Sequence, residues 1–91
     1  MLDVLIVDDS AAIRKILQRV LRQTEMAIGN IVEAGDGCEA LEALKAQKID
    51  LILSDINMPN MDGIELLGKI KANESWTKLP VIMVSTEDRH R

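Results

Sequence analysis

Short aliphatic runs alternate with longer amphipathic segments along the chain, and this alternation constrains the fold most strongly. The run from Leu2 to Val7 is almost entirely aliphatic and stops at Asp8-Asp9-Ser10. Similar runs lie at 31–34, 50–54 and 80–84, and acidic or hydroxyl residues follow the last two of them. Aliphatic runs of this length, bounded by polar residues, are typical of strands buried on both faces of a parallel sheet.

The segment after the first run has the periodicity of a helix with one apolar side. Its aliphatic residues recur at intervals of three and four, on the face that would contact a sheet: Ile13, Ile16, Leu17, Val20 and Leu21. Basic and amide side chains fill the opposite face, which is interpreted mainly as a solvated surface. The spacing predicts an amphipathic helix of about 13 residues. Gly29-Asn30 is predicted to form a turn before the next strand.

Capping signals mark the start of two further helices. Asp36 with Glu39, and Asp62 with Glu65, have the spacing of a capping box. The third helix is predicted to bury one set of aliphatic residues, Ile64, Leu67 and Ile70. Strands and helices therefore alternate from the first strand to the fourth, and this order predicts an α/β fold with a parallel sheet and right-handed crossovers.

Composition excludes several classes of function. The 91 residues carry a net charge of −4, and Trp76 is the single aromatic residue. No nucleic-acid partner is expected, because such an interface needs a basic surface or stacking aromatic rings. No apolar run approaches the roughly 20 residues that span a bilayer, so no membrane insertion is expected. The single cysteine, Cys38, and the lack of a secretory signal before Asp3 predict a cytoplasmic protein.

Carboxylates collect where the predicted strands end. Asp8 and Asp9 follow the first strand, Asp55 follows the third, and Ser85-Thr86 follows the fourth. Ligands of open parallel sheets bind beyond the carboxyl ends of the strands. If the first and third strands are neighbours, the carboxylates converge and need a neutralising cation, for which Mg²⁺ with its oxygen ligands is suited. Taken singly, each acid has an alternative interpretation as a turn or a helix cap.

Three segments of the sequence resemble the receiver domain of two-component response regulators. They are Val4 to Ser10, Leu53 to Gly63 and Leu79 to Ser85. The resemblance covers the whole chain and implies a flavodoxin-like, CheY-like parallel sheet with strand order 2-1-3-4 and helices on both faces. Within this superfamily, residues 57–67 and the turn at 33–37 are most similar to the single-domain regulators of chemotaxis.

The resemblance also implies how the acidic residues act. Asp55 would accept a phosphoryl group from the phosphohistidine of a sensor histidine kinase of the chemotaxis type. Asp9, Asp55 and the backbone carbonyl of Asn57 would ligate Mg²⁺, and Asp8 would contribute through water. The bound metal would offset the charge that builds on the phosphoryl oxygens. The basic face of the first helix has an alternative interpretation as a docking surface for a histidine phosphotransfer partner.

Further site residues are implied after the third and fourth strands. Ser85 would hydrogen-bond the attached phosphoryl group, and the side chains of Asn57 and Glu87 would flank the path of the hydrolytic water. Catalysis would amount at most to phosphorylation and dephosphorylation of Asp55 itself, rather than turnover of a free substrate. Residues 1–91 would correspond to the N-terminal two-thirds to three-quarters of a receiver, ending before its fourth helix, fifth strand and fifth helix. The lysine of that fifth strand has no counterpart here.

Alternative functions stay open at this point. A truncated or engineered scaffold would keep the acidic metal pocket without relaying a signal, and the missing lysine makes it a serious alternative. An aspartate-nucleophile phosphatase of the haloacid dehalogenase kind would also use Mg²⁺, but its general acid would occupy the position of Asn57. Finally, the run from Val81 to Val84 is apolar on both faces and is predicted to form an uncovered edge strand, which favours a homo-oligomer.

Overall fold

Parallel strands and helices alternate through residues 1–84, the part of the chain that the structure, a computed structural model, describes. The elements are β1 (Leu2–Val7), α1 (Ala11–Gln23), β2 (Ile28–Ala34), α2 (Gly37–Ala46), β3 (Leu51–Asp55), α3 (Gly63–Ala72) and β4 (Val81–Val84). All strand pairs are parallel, and the strand order is β2-β1-β3-β4. The predicted α/β fold class and strand order are therefore confirmed.

Helices cover both faces of this sheet. On one face, Leu44 of α2 and Leu66 of α3 belong to the same packed cluster as Leu5 of β1. On the other face, Leu21 of α1 packs with Val4 of β1. The residues of β1 from position 4 to position 7 have no solvent exposure. The continuous aliphatic run in β1 is explained by this central position, since side chains on both faces of the strand are buried.

Aspartate side chains cap the N-termini of α2 and α3 at the positions that the sequence predicts. The Asp36 carboxylate accepts a hydrogen bond from the Glu39 N–H at 2.9 Å, and the Asp62 carboxylate accepts one from the Glu65 N–H at 2.8 Å. Each bond satisfies one backbone donor that the first helical turn leaves unpaired. The reciprocal bond of the capping box is displaced by one residue at α2, where the Glu39 carboxylate accepts from the Gly35 N–H at 2.7 Å.

The second strand begins earlier than predicted. Gly29-Asn30 lies inside β2, which starts at Ile28, so the prediction of a turn at this dipeptide is wrong. Ile28 pairs with Leu2, and the register between β1 and β2 shifts before Val4. The Asn30 N–H donates to the Asp3 carboxylate at 2.9 Å. Gly and Asn residues usually favour turns. Here the pairing of β2 with β1 holds Gly29 and Asn30 in an extended conformation.

The buried faces of two helices also differ from the prediction. In α3, Leu66 and Ile70 are fully buried, whereas Ile64 is 59% exposed. The start of α3 packs against the end of β3, and this contact rotates Leu66 rather than Ile64 toward the sheet. In α1, Ile16 and Val20 are each about half exposed, because α1 contacts β1 and β2 and its other flank is uncovered within residues 1–84. No helix within residues 1–84 is long and apolar enough to cross a bilayer.

Candidate metal and phosphoryl site

Adjacent strands bring three carboxylates together at the carboxyl end of the sheet. Val7 of β1 pairs with Ser54 of β3, so the residues that follow them, Asp8 and Asp55, lie side by side. Carboxylate oxygens of Asp8, Asp9 and Asp55 lie within 4.8 Å of one another. Asp8 and Asp55 are 1% and 3% exposed, whereas Asp9 is exposed. The cluster therefore consists of two buried acids and one acid that faces solvent. The convergence of the carboxylates expected from neighbouring strands is confirmed.

The chemistry of this donor set fits a hard divalent cation. Three like charges at such distances repel one another, and burial of two of them removes the water that would screen the repulsion. Carboxylate oxygens are the ligands that Mg²⁺ uses in proteins, together with several retained waters, which the exposed side of the cluster admits. Asp8, Asp9 and Asp55 are thus the side chains that fit an Mg²⁺ ion.

Backbone donors orient the two buried carboxylates. One oxygen of Asp8 accepts from the Ser10 N–H at 2.9 Å, and one oxygen of Asp55 accepts from the Ile56 N–H at 2.8 Å. The Asp8 N–H donates to the Ala34 carbonyl at 3.1 Å, which ties the end of β1 to β2. The bonds from the Ser10 and Ile56 N–H groups hold the Asp8 and Asp55 side chains in defined directions at the ends of their strands.

The loop between β3 and α3 closes tightly over the end of β3. The Gly63 N–H donates to the Ile56 carbonyl at 2.8 Å, and a Cβ at position 63 would lie only 2.2 Å from the Asp55 carbonyl oxygen. Glycine is required here because the first turn of α3 contacts the backbone that carries Asp55. In the same loop Asn60 has a positive φ of 67°, and its amide donates to the Asp36 carboxylate at 2.7 Å. Asparagine adopts this conformation more readily than most residues.

Of the remaining predicted site residues, Asn57 lies in the loop between β3 and α3, and the other two lie outside residues 1–84. Asn57 is exposed and follows Asp55 by two residues, in the loop that Gly63 closes. Ser85 and Glu87 lie outside the described residues, so their predicted roles are not tested. Sequence reasoning missed one residue next to the cluster, Arg14, whose guanidinium donates to the Asp8 carbonyl at 2.6 Å. Its position on the polar side of α1 offered no signal that set it apart from the other basic residues.

Comparison with known proteins places this arrangement in a family. The sequence pattern of the response regulator receiver domain matches residues 4–91. The chain belongs to the response regulator receiver family. This receiver is 43% identical over 84 residues to the chemotaxis protein CheY-3 of Vibrio cholerae, and the match covers 92% of the receiver and 63% of CheY-3. The receiver therefore spans less than two-thirds of the length of that relative.

Solved structures share the fold of the receiver. The N-terminal domain of a response regulator receiver protein from Methanoculleus marisnigri matches it with a TM-score of 0.84 at 36% identity, over 96% of the receiver and 68% of that chain. The Mn²⁺-bound form of the response regulator Rcp1 matches with a TM-score of 0.83 at 31% identity, over 100% of the receiver and 68% of that chain. Both matches support the parallel four-strand order described above.

Proposed function

We propose that the receiver accepts a phosphoryl group on Asp55 from the phosphohistidine of a sensor histidine kinase, with Mg²⁺ held by the acidic cluster. The observation that carries this proposal is the approach of the Asp8, Asp9 and Asp55 oxygens to within 4.8 Å at the ends of adjacent strands. Membership of the receiver family supports it. The Mn²⁺-bound form of Rcp1 supports a divalent cation as the ligand of this kind of domain.

Asp55 has the position that a nucleophile for phosphoryl transfer needs. One of its carboxylate oxygens would attack phosphorus while the bond from phosphorus to the histidine nitrogen breaks, and the imidazole keeps the electron pair. When bound, Mg²⁺ supplies positive charge that offsets the developing charge on the phosphoryl oxygens. The Ile56 N–H holds one Asp55 oxygen at 2.8 Å and so fixes the direction of the carboxylate. Asp8 and Asp9, together with Asp55 itself, would hold the metal.

Three further residues complete the proposed site. The carbonyl of Asn57 would add a metal ligand from the loop that follows β3. Ser85 would hydrogen-bond the phosphoryl group, and Glu87 together with the Asn57 side chain would control the approach of the hydrolytic water. The reaction is confined to gain and loss of the phosphoryl group on Asp55, so the receiver turns over no free substrate.

A chemotaxis kinase is the proposed phosphoryl donor. The 43% identity to the chemotaxis protein CheY-3 supports this class of partner. The cytoplasm is the proposed location, because a single cysteine excludes an internal disulfide and is typical of a reducing compartment. A chemotaxis kinase that phosphorylates the receiver no faster than an unrelated histidine kinase would contradict this assignment.

The outer edge of β4 is the proposed contact between copies of the receiver. Within residues 1–84 β4 lies at the edge of the sheet, and Ile82 on this strand is 50% exposed. An apolar edge strand offers unpaired backbone groups to another chain. Sedimentation velocity should detect a dimer that Ile82→Lys dissociates, whereas a monomer across the whole concentration range would contradict the proposed contact.

Phosphorylation by acetyl phosphate tests the central proposal. The full chain is incubated with acetyl phosphate and Mg²⁺ and its intact mass is measured. A gain of one phosphoryl group is expected in the wild type and is lost in Asp55→Asn or after chelation of the metal. Asp62→Asn is the matched control, since Asp62 is exposed, caps α3 and lies outside the cluster.

Other outcomes would assign a different function. A folded chain that binds Mg²⁺ but never gains a phosphoryl group would support the scaffold interpretation. Continuous release of phosphate from a range of phosphoesters would support a phosphatase. Both results would overturn the assignment of Asp55 as a stable phosphoacceptor.

A further inference from the structure

We infer that Arg14 is a positioning residue for the acidic site, because it holds the carbonyl of Asp8 and so fixes the Asp8-Asp9 pair for a divalent cation. The inference rests on the proposed function, in which this pair helps to bind Mg²⁺. Arg14 lies in the first turn of α1, which begins two residues after Asp9. It is not itself a metal ligand, since a guanidinium has no acceptor atom.

The Arg14 side chain bridges three elements of the fold. Its Nη1 donates to the Asp8 carbonyl oxygen at 2.6 Å, and its Nε donates to the Glu33 carboxylate at 2.9 Å. The bridge thus joins α1, the end of β1 and β2. The Arg14 side chain is only 19% exposed, whereas that of Lys15, which also lies near Glu33, is 66% exposed. Arg14 is therefore a packed, doubly bonded side chain and not part of the solvated face that the sequence predicts.

Glu33 keeps the guanidinium in place. The pKa of Glu33 is lowered, chiefly by the hydrogen bond from Arg14 and with a further contribution from the charge of Lys15. Glu33 is consequently ionised at neutral pH and pairs with Arg14. The planar guanidinium uses separate N–H groups for Glu33 and for the Asp8 carbonyl, and a lysine ammonium lacks this forked geometry.

The orientation of the Asp8 carbonyl affects the geometry of the metal site. This carbonyl belongs to the peptide that joins Asp8 to Asp9, so its orientation determines where the exposed Asp9 carboxylate lies relative to the buried Asp8 carboxylate. The bonds of Asp8 to Ala34 and Ser10 hold its N–H and its side chain, and the Arg14 bond holds its carbonyl. The positive charge of Arg14 next to this peptide also opposes the mutual repulsion of the three carboxylates.

Calorimetric titration of the full chain with Mg²⁺ tests this role. Loss of a residue that orients metal ligands typically weakens metal binding 10–100-fold, so Arg14→Met should raise the Kd for Mg²⁺ by about tenfold. Arg14→Lys should raise it less, because lysine keeps the charge but not both hydrogen bonds. Arg19→Met is the matched control on the exposed side of α1 and should leave the Kd unchanged.

A second measurement separates positioning from a merely structural role. Phosphorylation of Arg14→Met by acetyl phosphate should be slow at low Mg²⁺ and return to nearly the wild-type rate at saturating Mg²⁺, because Asp55 is intact. A structural role alone would lower the free energy of unfolding without this dependence on Mg²⁺. If Arg14→Met fails to fold, Arg14→Lys and Glu33→Gln decide the question, and each should raise the Kd several-fold.

The outcomes for the inference and for the proposed function are distinct. Wild-type binding of Mg²⁺ together with an unchanged Kd in the folded Arg14 and Glu33 variants would overturn the inference alone. A wild-type chain that binds no Mg²⁺ would overturn the proposed metal site and the inference with it. A raised Kd in the variants with an unchanged Arg19→Met control would establish the positioning role.

Discussion

Replacing Gly63 by alanine is expected to destabilise the receiver strongly, because the new methyl group has no space. Its Cβ would lie 2.2 Å from the Asp55 carbonyl oxygen and 3.0 Å from the Ile56 Cα. Non-bonded carbon contacts are optimal at roughly 3.5–4.0 Å, so the overlap with the carbonyl oxygen is about 1 Å or more. Both neighbours are backbone atoms at the end of β3, and no side-chain rotation relieves the clash. Overpacking typically costs 1–3 kcal/mol, and about 3 kcal/mol is expected here.

Gly68 in the same helix provides the matched control. Apart from the nearby backbone of α3 itself, a Cβ at Gly68 would meet no atom of residues 1–84 within 4 Å. Alanine is favoured over glycine in a helix interior, so Gly68→Ala should stabilise the receiver by about 0.5–1 kcal/mol. The two variants make the same chemical change in α3 and should therefore differ by about 4 kcal/mol, a large share of the roughly 5–15 kcal/mol that stabilises a typical domain.

Urea unfolding followed by circular dichroism measures this difference. The midpoint should fall for Gly63→Ala and rise slightly for Gly68→Ala, with similar slopes. Thermal unfolding gives an independent value, since 1 kcal/mol shifts the Tm of a domain of this size by about 4–8 °C. Equal stability of the two variants would refute the tight contact between α3 and the end of β3.

Further predictions concern the helix faces and the loop that carries the site. Leu66→Ala empties a fully buried position and should cost about 2–5 kcal/mol, whereas Ile64→Ala should cost less than about 0.5 kcal/mol; equal costs in urea would contradict the orientation of α3. Asn60→Ala should cost about 1–2 kcal/mol, from a positive φ and a lost hydrogen bond, and Asn60→Gly should recover part of this loss. The pKa of Asp36 is lowered, chiefly by the hydrogen bond from the Glu39 N–H and then by the Asn60 amide. Ionised Asp36 thus stabilises the fold above its unfolded pKa, and this stabilisation is lost as pH falls through the lower folded pKa. Asp36→Asn should therefore flatten the acid side of the curve of stability against pH, and an unchanged acid side would contradict this linkage.

Sequence signals within a few residues correctly predicted β1 and the starts of α2 and α3, because interactions over the same few residues stabilise these features. The run from Leu2 to Val7 has the same bounds as β1, since a strand buried on both faces needs a continuous aliphatic stretch. Asp36 and Asp62 begin helices as predicted, because a capping carboxylate bonds a backbone N–H only three residues away. The strand order followed from the family resemblance, and with it the meeting of the acids at the carboxyl ends of β1 and β3.

Contacts between residues that are distant in the sequence could not be predicted from short sequence patterns. Ile64 and Leu66 are equally apolar, and the contact of Gly63 with the Asp55 backbone decides which of them faces the sheet. Arg14 and Arg19 are chemically identical residues of one helix, but Arg14 donates to Glu33, 19 residues away, and to the Asp8 carbonyl, whereas Arg19 is exposed. Residue spacing along the chain was sufficient to predict which acids stand at the ends of strands. The tertiary structure decided what holds them, because helix rotation and strand register depend on packing between segments that residue spacing does not specify.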